Sequence, residues 1–320
     1  MKKGMACLLA VVLAFLCCAC GEDDGENKRY VVGVCQLIQH AALDAATRGF
    51  VETLTEELGE DHVTIDVQNA SGDSAACATI INSFVSKGVD LIMANASAAL
   101  EAAANGTRRI PILGTSITEY GAALKLDGFT GTVGGNISGT SDLAPLDQQA
   151  DMFTELLPQA KKIGLLYCSA EPNSRYQVDK VKEYLEAKGL TCKLYAFSDT
   201  NDLSAVCTAA CAGSDALYIP TDNTAANATG IIDGICRPAK TPVIAGEAGI
   251  CKGCGIASLT IRYYDLGVTT AKMAAKVLRG EADIAKMPVE YADQFTKVYN
   301  PAICAELGIT VPAAYTAVTK

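Results

Sequence analysis

The sequence has no tryptophan, two histidines and few charges, with 19% of residues Asp, Glu, Lys or Arg. Scarce histidine restricts acid–base chemistry, because imidazole is the side chain that titrates near neutral pH. His62 lies in the acidic turn Gly59–His62 and reads as a solvated residue. That leaves His40, and a Ser–His–Asp set built on it has no motif behind it. No G-x-G-x-x-G, P-loop or G-x-S-x-G pattern occurs, so nucleotide chemistry and an esterase elbow lack their signatures. Positive charge is also short: the formal net charge is −10, and loss of Lys2 and Lys3 with a leader makes it −12. Without a basic patch to neutralise phosphates, nucleic acid is not an expected partner. After the first twenty residues no apolar run reaches the roughly 20 residues that a membrane span needs.

What is present begins with two lysines and the apolar run Met5–Ala19, the pattern of a secretory leader. The run ends in Phe15-Leu16-Cys17-Cys18-Ala19-Cys20-Gly21, which resembles a bacterial lipobox. Cys20, after small Ala19, is the residue that would carry the lipid. Cys17 stands where a leucine is usual, which leaves Cys18 as the alternative, and a leader without lipidation is the plainer one. The expectation is a signal peptide over residues 1–19, a lipidated cysteine with a flexible acidic spacer over 20–29, and a soluble body tethered outside a bacterial cell membrane.

Half of the residues are hydrophobic, and the body is long enough for two lobes with cores of their own. Short apolar runs alternate with helical periodicity. In the first half, strands are expected at Tyr30–Gln36, Val63–Val67, Val89–Ala94 and Ile110–Gly114, with helices at Ala42–Leu58, Asp73–Lys87 and Ser97–Ala104. The second half repeats this, with strands at Lys162–Tyr167, Thr191–Phe197, Ala216–Ile219, Pro242–Ala245 and Gly255–Ile261. Its helices are expected at Leu143–Leu157, Ser174–Ala187, Asp202–Ala212, Asp222–Cys236 and Tyr263–Leu278. Single helices between strands imply right-handed βαβ crossovers, hence an α/β protein with two Rossmann-like lobes and parallel sheets. Gly134–Asp142, between the halves, reads as a hinge loop that lines a cleft.

Ligands of open parallel sheets bind beyond the carboxyl ends of the strands. The loops there hold Gln36, Gln39 and His40; Asn95 and Ser97; Thr115 and Ser116; Ser141 and Asp142; Asn173 and Ser174; Thr221, Asp222 and Asn223; and Glu247. Several lead into a helix N-terminus, whose free N–H groups suit a carboxylate. Asp142, Asp222 and Glu247 suit an ammonium group. Each of these side chains would also serve as an ordinary helix cap, so the set of loops says more than any member of it.

Five ordered stretches, Val32–Asp44, Gly135–Asp142, Glu171–Val178, Asp215–Asn227 and Pro242–Gly267, resemble the TrpX-like family of ABC-transporter substrate-binding proteins. The resemblance spans nearly all of the chain after the leader. It implies a type I periplasmic-binding-protein fold in which the chain crosses between lobes three times. On that basis residues 30–140 and 258–280 form lobe 1, and residues 141–257 and 281–320 form lobe 2. It further implies capture of an aromatic amino acid (Trp, Tyr or Phe) by lobe closure, with a membrane permease and its ATPase as partners and no catalysis. Phe, Tyr or Leu side chains would hold the ligand ring. Where the family tends to have Glu-Glu-Gly this chain has Glu247-Ala248-Gly249, and Ala41 rather than proline follows His40. Both departures fall in cleft loops. A sensor that reports a different metabolite to a membrane receptor is the alternative within this fold.

Ten cysteines follow Cys20: Cys35, Cys77, Cys168, Cys192, Cys207, Cys211, Cys236, Cys251, Cys254 and Cys304. Several fall on expected core faces, where a free thiol acts as a small hydrophobe. The Cys251/Cys254 pair is compatible with a local disulfide, with two free thiols or with a thiol–disulfide oxidoreductase. Cys207/Cys211 is a poor match for the second pair of a zinc site. No metal site and no cofactor are expected.

Overall fold

The computed structural model describes residues 28–318; the leader, Cys20 and most of the spacer lie outside the described residues. The first sheet is built from β1 (Tyr30–Gln36), β2 (Val63–Asn69), β3 (Leu91–Asn95), β4 (Ile112–Ile117), β5 (Ile137–Ser141) and β11 (Glu290–Tyr291). Their spatial order is β11-β5-β4-β3-β1-β2, and every pairing is parallel. Helices α1 (Ala41–Leu58), α2 (Ser74–Lys87), α3 (Ser97–Gly106) and the short α4 (Tyr120–Leu124) connect the first strands. Strands β3 and β4 are buried along their whole length, as expected for a parallel sheet covered on both faces.

The second sheet contains β6 (Lys162–Cys168), β7 (Thr191–Phe197), β8 (Ala216–Ile219), β9 (Val243–Ala245), β10 (Ala257–Thr260), β12 (Thr296–Tyr299) and β13 (Thr316–Ala317). Its order is β13-β12-β10-β9-β8-β6-β7, with β10 and β12 antiparallel. Around it lie α5 (Leu146–Leu156), α6 (Pro172–Ala187), α7 (Thr200–Gly213), α8 (Asn223–Asn227), α9 (Thr229–Cys236), α10 (Ala248–Cys254) and α12 (Pro301–Leu307). The helix expected over Asp222–Cys236 is thus two helices. Ala228, at φ −117° and ψ 21°, leaves helical geometry between them.

The chain crosses between sheets after β5, after β10 and after β11. Ser258–Thr260 was expected in the first lobe, but β10 pairs with β9 and β12, and Ala257 and Leu259 enter the second core. The return therefore comes at Ile261–Arg262, and α11 (Tyr263–Leu278) then packs on α1 in the first lobe. The segment after Glu281, expected in the second lobe, stays with the first until β11 has paired with β5. Val289 is buried in the first core, and Ser138 Oγ donates to Met287 O at 3.0 Å. Residues 292–295 make the last crossing. The expected hinge loop Gly134–Asp142 is largely strand β5, and the bend follows it.

Helices α1 and α11 cross with their backbones in contact. A Cβ on Gly49 would lie 2.2 Å from Tyr264 O, and one on Gly267 would lie 2.0 Å from Ala46 O. Only glycine fits at either position. This crossing fastens the late helix α11 to the first lobe.

Candidate functional site

The carboxyl ends of both sheets face one cleft. A cavity of about 260 Å³ lies there, with Leu37, Ile38 and Ala98 on one side and Ala170, Pro172 and Asn223 on the other. Its apolar wall is aliphatic, with neither Phe nor Tyr among its lining residues. Another cavity, of about 310 Å³, runs along the crossings beside Ile261, Arg262, Tyr291 and Gln294 and belongs to the hinge.

On the first lobe, Gln36 is spent on its own loop. Its amide donates to Ile38 O at 2.8 Å and Asp44 Oδ1 at 2.6 Å, and its carbonyl accepts from Thr47 Oγ1 at 2.5 Å. Gln39 is exposed and turns to a separate surface depression beside α1. Thr115 points into the core, in a hydroxyl chain through Thr140 at 3.2 Å to Thr270 at a further 2.9 Å. His40 instead crosses the cleft, with Nε2 3.1 Å from Asn223 Oδ1.

Asn95 is fully buried at the end of β3, where its amide donates to Leu43 O and Thr47 Oγ1, both at 2.9 Å. Ala96 follows at φ +87° and Ser116 sits at φ +55°, in the left-handed half of backbone space that non-glycine residues avoid. Such strain collects at functional positions. Ala96 turns the chain into α3, which Ser97 opens, and Ala98 in its first turn lines the cavity.

Ser141 locks the bend after β5: its Oγ donates to Thr118 O at 2.9 Å and accepts from Leu143 N at 3.2 Å. Asp142 comes next, 4% exposed. Its Oδ2 accepts from Tyr263 OH at 2.9 Å, while Oδ1 has no hydrogen-bond partner. Burial, reinforced by the charge of Glu247, lifts the Asp142 carboxyl from 3.8 to about 6, against the lowering effects of the Tyr263 and Thr118 hydroxyls and of its own backbone N–H. Tyr263 immediately follows the second crossing, so this bond ties two hinge segments together.

The second lobe supplies three more buried acids. Glu171 accepts from Asn173 Nδ2 at 3.1 Å, and from Asn223 and Thr224 through backbone and side chain at 2.7–3.0 Å. Asp222 accepts from Cys168 N at 2.6 Å and caps α8 through Ala225 N at 2.8 Å. Burial and then the Glu171 charge push its carboxyl up to about 8. Glu247 caps α10, accepting from Gly249 N at 2.6 Å and Ile250 N at 2.5 Å. Asn173 also donates to Thr221 O at 2.9 Å, and Thr221 N donates to Gln177 Oε1 at 3.1 Å. Ser174 is fully buried, and its hydroxyl accepts from Asn173 Nδ2 at 3.3 Å.

Among the described residues, the buried charged side chains are Asp142, Glu171, Asp222 and Glu247, with no buried Lys or Arg. Three of the four have their oxygens occupied. Asp142 alone keeps a carboxylate oxygen without a donor, and an ionised buried carboxylate without a cation is costly. Sequence reasoning singled out Asp142, Asp222 and Glu247 but missed Glu171, Gln177 and Tyr263. Glu171 had a signal, an acid just ahead of a Pro-initiated helix; Gln177 and Tyr263 enter only through tertiary contacts.

Cys251 and Cys254, the thiol-exchange candidates, are buried in the second lobe, and burial pushes both thiols up. Exchange chemistry needs an accessible thiol with a lowered pKa. All ten cysteines among the described residues are free.

Two lobes of parallel-dominated α/β structure, joined by three crossings around a polar cleft, form the type I periplasmic-binding-protein fold. Residues 31–319 match the ABC transporter substrate binding protein family, and the chain belongs to it. A tyrosine-binding protein of Clostridioides difficile strain R20291 is 31% identical over 316 residues, covering 93% of this chain and 90% of that one. A Streptococcus pneumonia domain solved in complex with L-Trp is 35% identical, with a TM-score of 0.86 over 90% of this chain and 97% of that chain. The ligand-free, open structure of a substrate binding protein with adhesive properties from Clostridium difficile is 34% identical, with a TM-score of 0.69 over 91% and 99% of the two chains.

Proposed function

We propose that the protein delivers an α-amino acid, with Tyr, Trp or Phe favoured, to an ABC importer from outside the cytoplasmic membrane. The observation that carries this reading is the unpartnered Oδ1 of buried Asp142, at the bend between the lobes beside Tyr263, with three further buried carboxylates and no buried cation among the described residues. A ligand ammonium supplies the missing charge and donor. The N-terminus of α3 after Ala96 suits the ligand carboxylate. Leu37, Ile38, Ala98 and Pro172 offer an apolar wall to the side chain. The relatives named for tyrosine and solved with L-Trp support the aromatic class. Of the strand-end residues singled out in the sequence, Asp142, Ser97 and the His40–Asn223 contact meet the ligand in this reading, and the others hold the loops. A lipid on Cys20 would keep the binding lobes near the permease, and the lipobox-like sequence supports it.

Melting the protein against the twenty amino acids and a set of sugars and nucleosides tests the reading. A ligand at a hundredfold above its Kd adds about 2.7 kcal/mol of stability, which raises Tm by several degrees. Shifts confined to Tyr, Trp or Phe are expected. A shift with a sugar or nucleoside and none with any amino acid would discard the substrate while keeping the fold.

A further inference from the structure

We propose that Cys207, Cys211 and Cys236 form a Zn²⁺ site on the outer side of the second lobe. Cys207 and Cys211 stand one helical turn apart on α7, and Cys236 is the last residue of α9. Their three sulfurs lie within 4.8 Å of one another. Cys236 Sγ is 3.7 Å from Cys207 Sγ and 3.6 Å from Cys211 Sγ. Four-coordinate zinc holds thiolates at about 2.3 Å in tetrahedral array, which separates neighbouring sulfurs by about 3.8 Å. The observed spacings therefore need little adjustment to accept the ion.

No second pair at similar spacing complements Cys207/Cys211; folding supplies a single third thiol, Cys236, from another helix instead. Cys207 and Cys236 are buried, whereas Cys211 lies at the solvent edge, so an ion can enter there and keep a fourth position for water. Soft thiolates select thiophilic ions over Mg²⁺ or Ca²⁺. Binding releases the three thiol protons and fastens α7 to α9. The site is independent of the cleft: Thr200, at the other end of α7, lines the ligand cavity, about 16 Å along the helix from Cys211.

Titrating the reduced protein anaerobically with Co²⁺, whose thiolate complexes show charge-transfer absorption, and then displacing it with Zn²⁺ tests the site. One equivalent of Co²⁺ is expected to give the thiolate band, and one of Zn²⁺ to abolish it and raise Tm. Cys236→Ser should lose the band. Cys211→Ser, at the exposed edge and safer for folding, should bind at least tenfold more weakly. Cys192→Ser, a thiol elsewhere on the lobe, should bind as the parent does. Absence of the band, binding by Cys211→Ser as tight as the parent's, or a mass showing two of the three thiols already joined as a disulfide would overturn the proposal.

Discussion

Asp142 is where the unliganded protein carries a cost and the ligand removes it. Its carboxyl is raised to about 6 by burial, so its contribution to unliganded stability is full below its ordinary 3.8 and is lost as pH rises through about 6. Ligand binding runs the other way, because an ammonium needs the ionised form. Affinity for the amino acid should therefore be about tenfold weaker at pH 5 than at pH 7, as calorimetry at the two pH values would show. Asp142→Asn should weaken binding at least thirtyfold, a loss of about 2 kcal/mol for a hydrogen bond to a charged group. The same variant should leave the unliganded Tm at pH 7.5 unchanged or higher. A fall in both affinity and Tm would mean that Asp142 holds the hinge and does not meet the ligand. The acids at strand ends were visible in the sequence because their spacing after apolar runs put them there. Which of them remains unpaired was not, since that depends on the backbone N–H groups that folding brings to Asp222 and Glu247.

Among the helices and strands, those that alternate cleanly were legible, because one buried face imposes a period of two or 3.6 on the residues beneath it. Strand β5 was missed. Asn136-Ile137-Ser138-Gly139-Thr140-Ser141 is small and polar although fully buried from Ile137 onward, and its hydroxyls are paid for by partners that the sequence cannot display, such as Met287 O and Thr270. The chain crossings were misplaced for the same reason: β10 and β11 are assigned to a lobe by pairing with distant strands. The α1–α11 contact makes a sharper claim. Gly267→Ala would drive a methyl to 2.0 Å from Ala46 O, so helices must separate, and overpacking of this kind costs about 1–3 kcal/mol. Urea unfolding should show that loss, while Gly234→Ala, with nothing within 4 Å of an added Cβ, should not.

For the protein entire, the arrangement of lobes follows a liganded relative. At almost equal identity the TM-score is 0.86 to the L-Trp complex and 0.69 to the open, ligand-free structure. His40 and Asn223, and Gln177 and Thr118 at 3.5 Å, reach each other across the cleft. A ligand that takes such lobes from 1:99 to 99:1 in favour of closure must prefer the closed form by about 10⁴-fold. Small-angle scattering should record a smaller radius of gyration on adding ligand, and an unchanged radius would rule out closure as the binding step. His40→Ala, lacking the cross-cleft bond, should bind about fivefold more weakly, for about 1 kcal/mol.

The threefold passage of the chain between lobes also sets when either lobe can be finished. The first sheet waits for β11 and the second for β13, which lie at residues 290–291 and 316–317. At ribosomal rates of roughly 5–20 residues per second, the earliest strand spends on the order of ten to fifty seconds without its final partners. Both lobes then complete within the same short interval. A nascent chain that stays incomplete for so long remains threadable, the condition a protein needs if it is to pass through a narrow export pore before it folds.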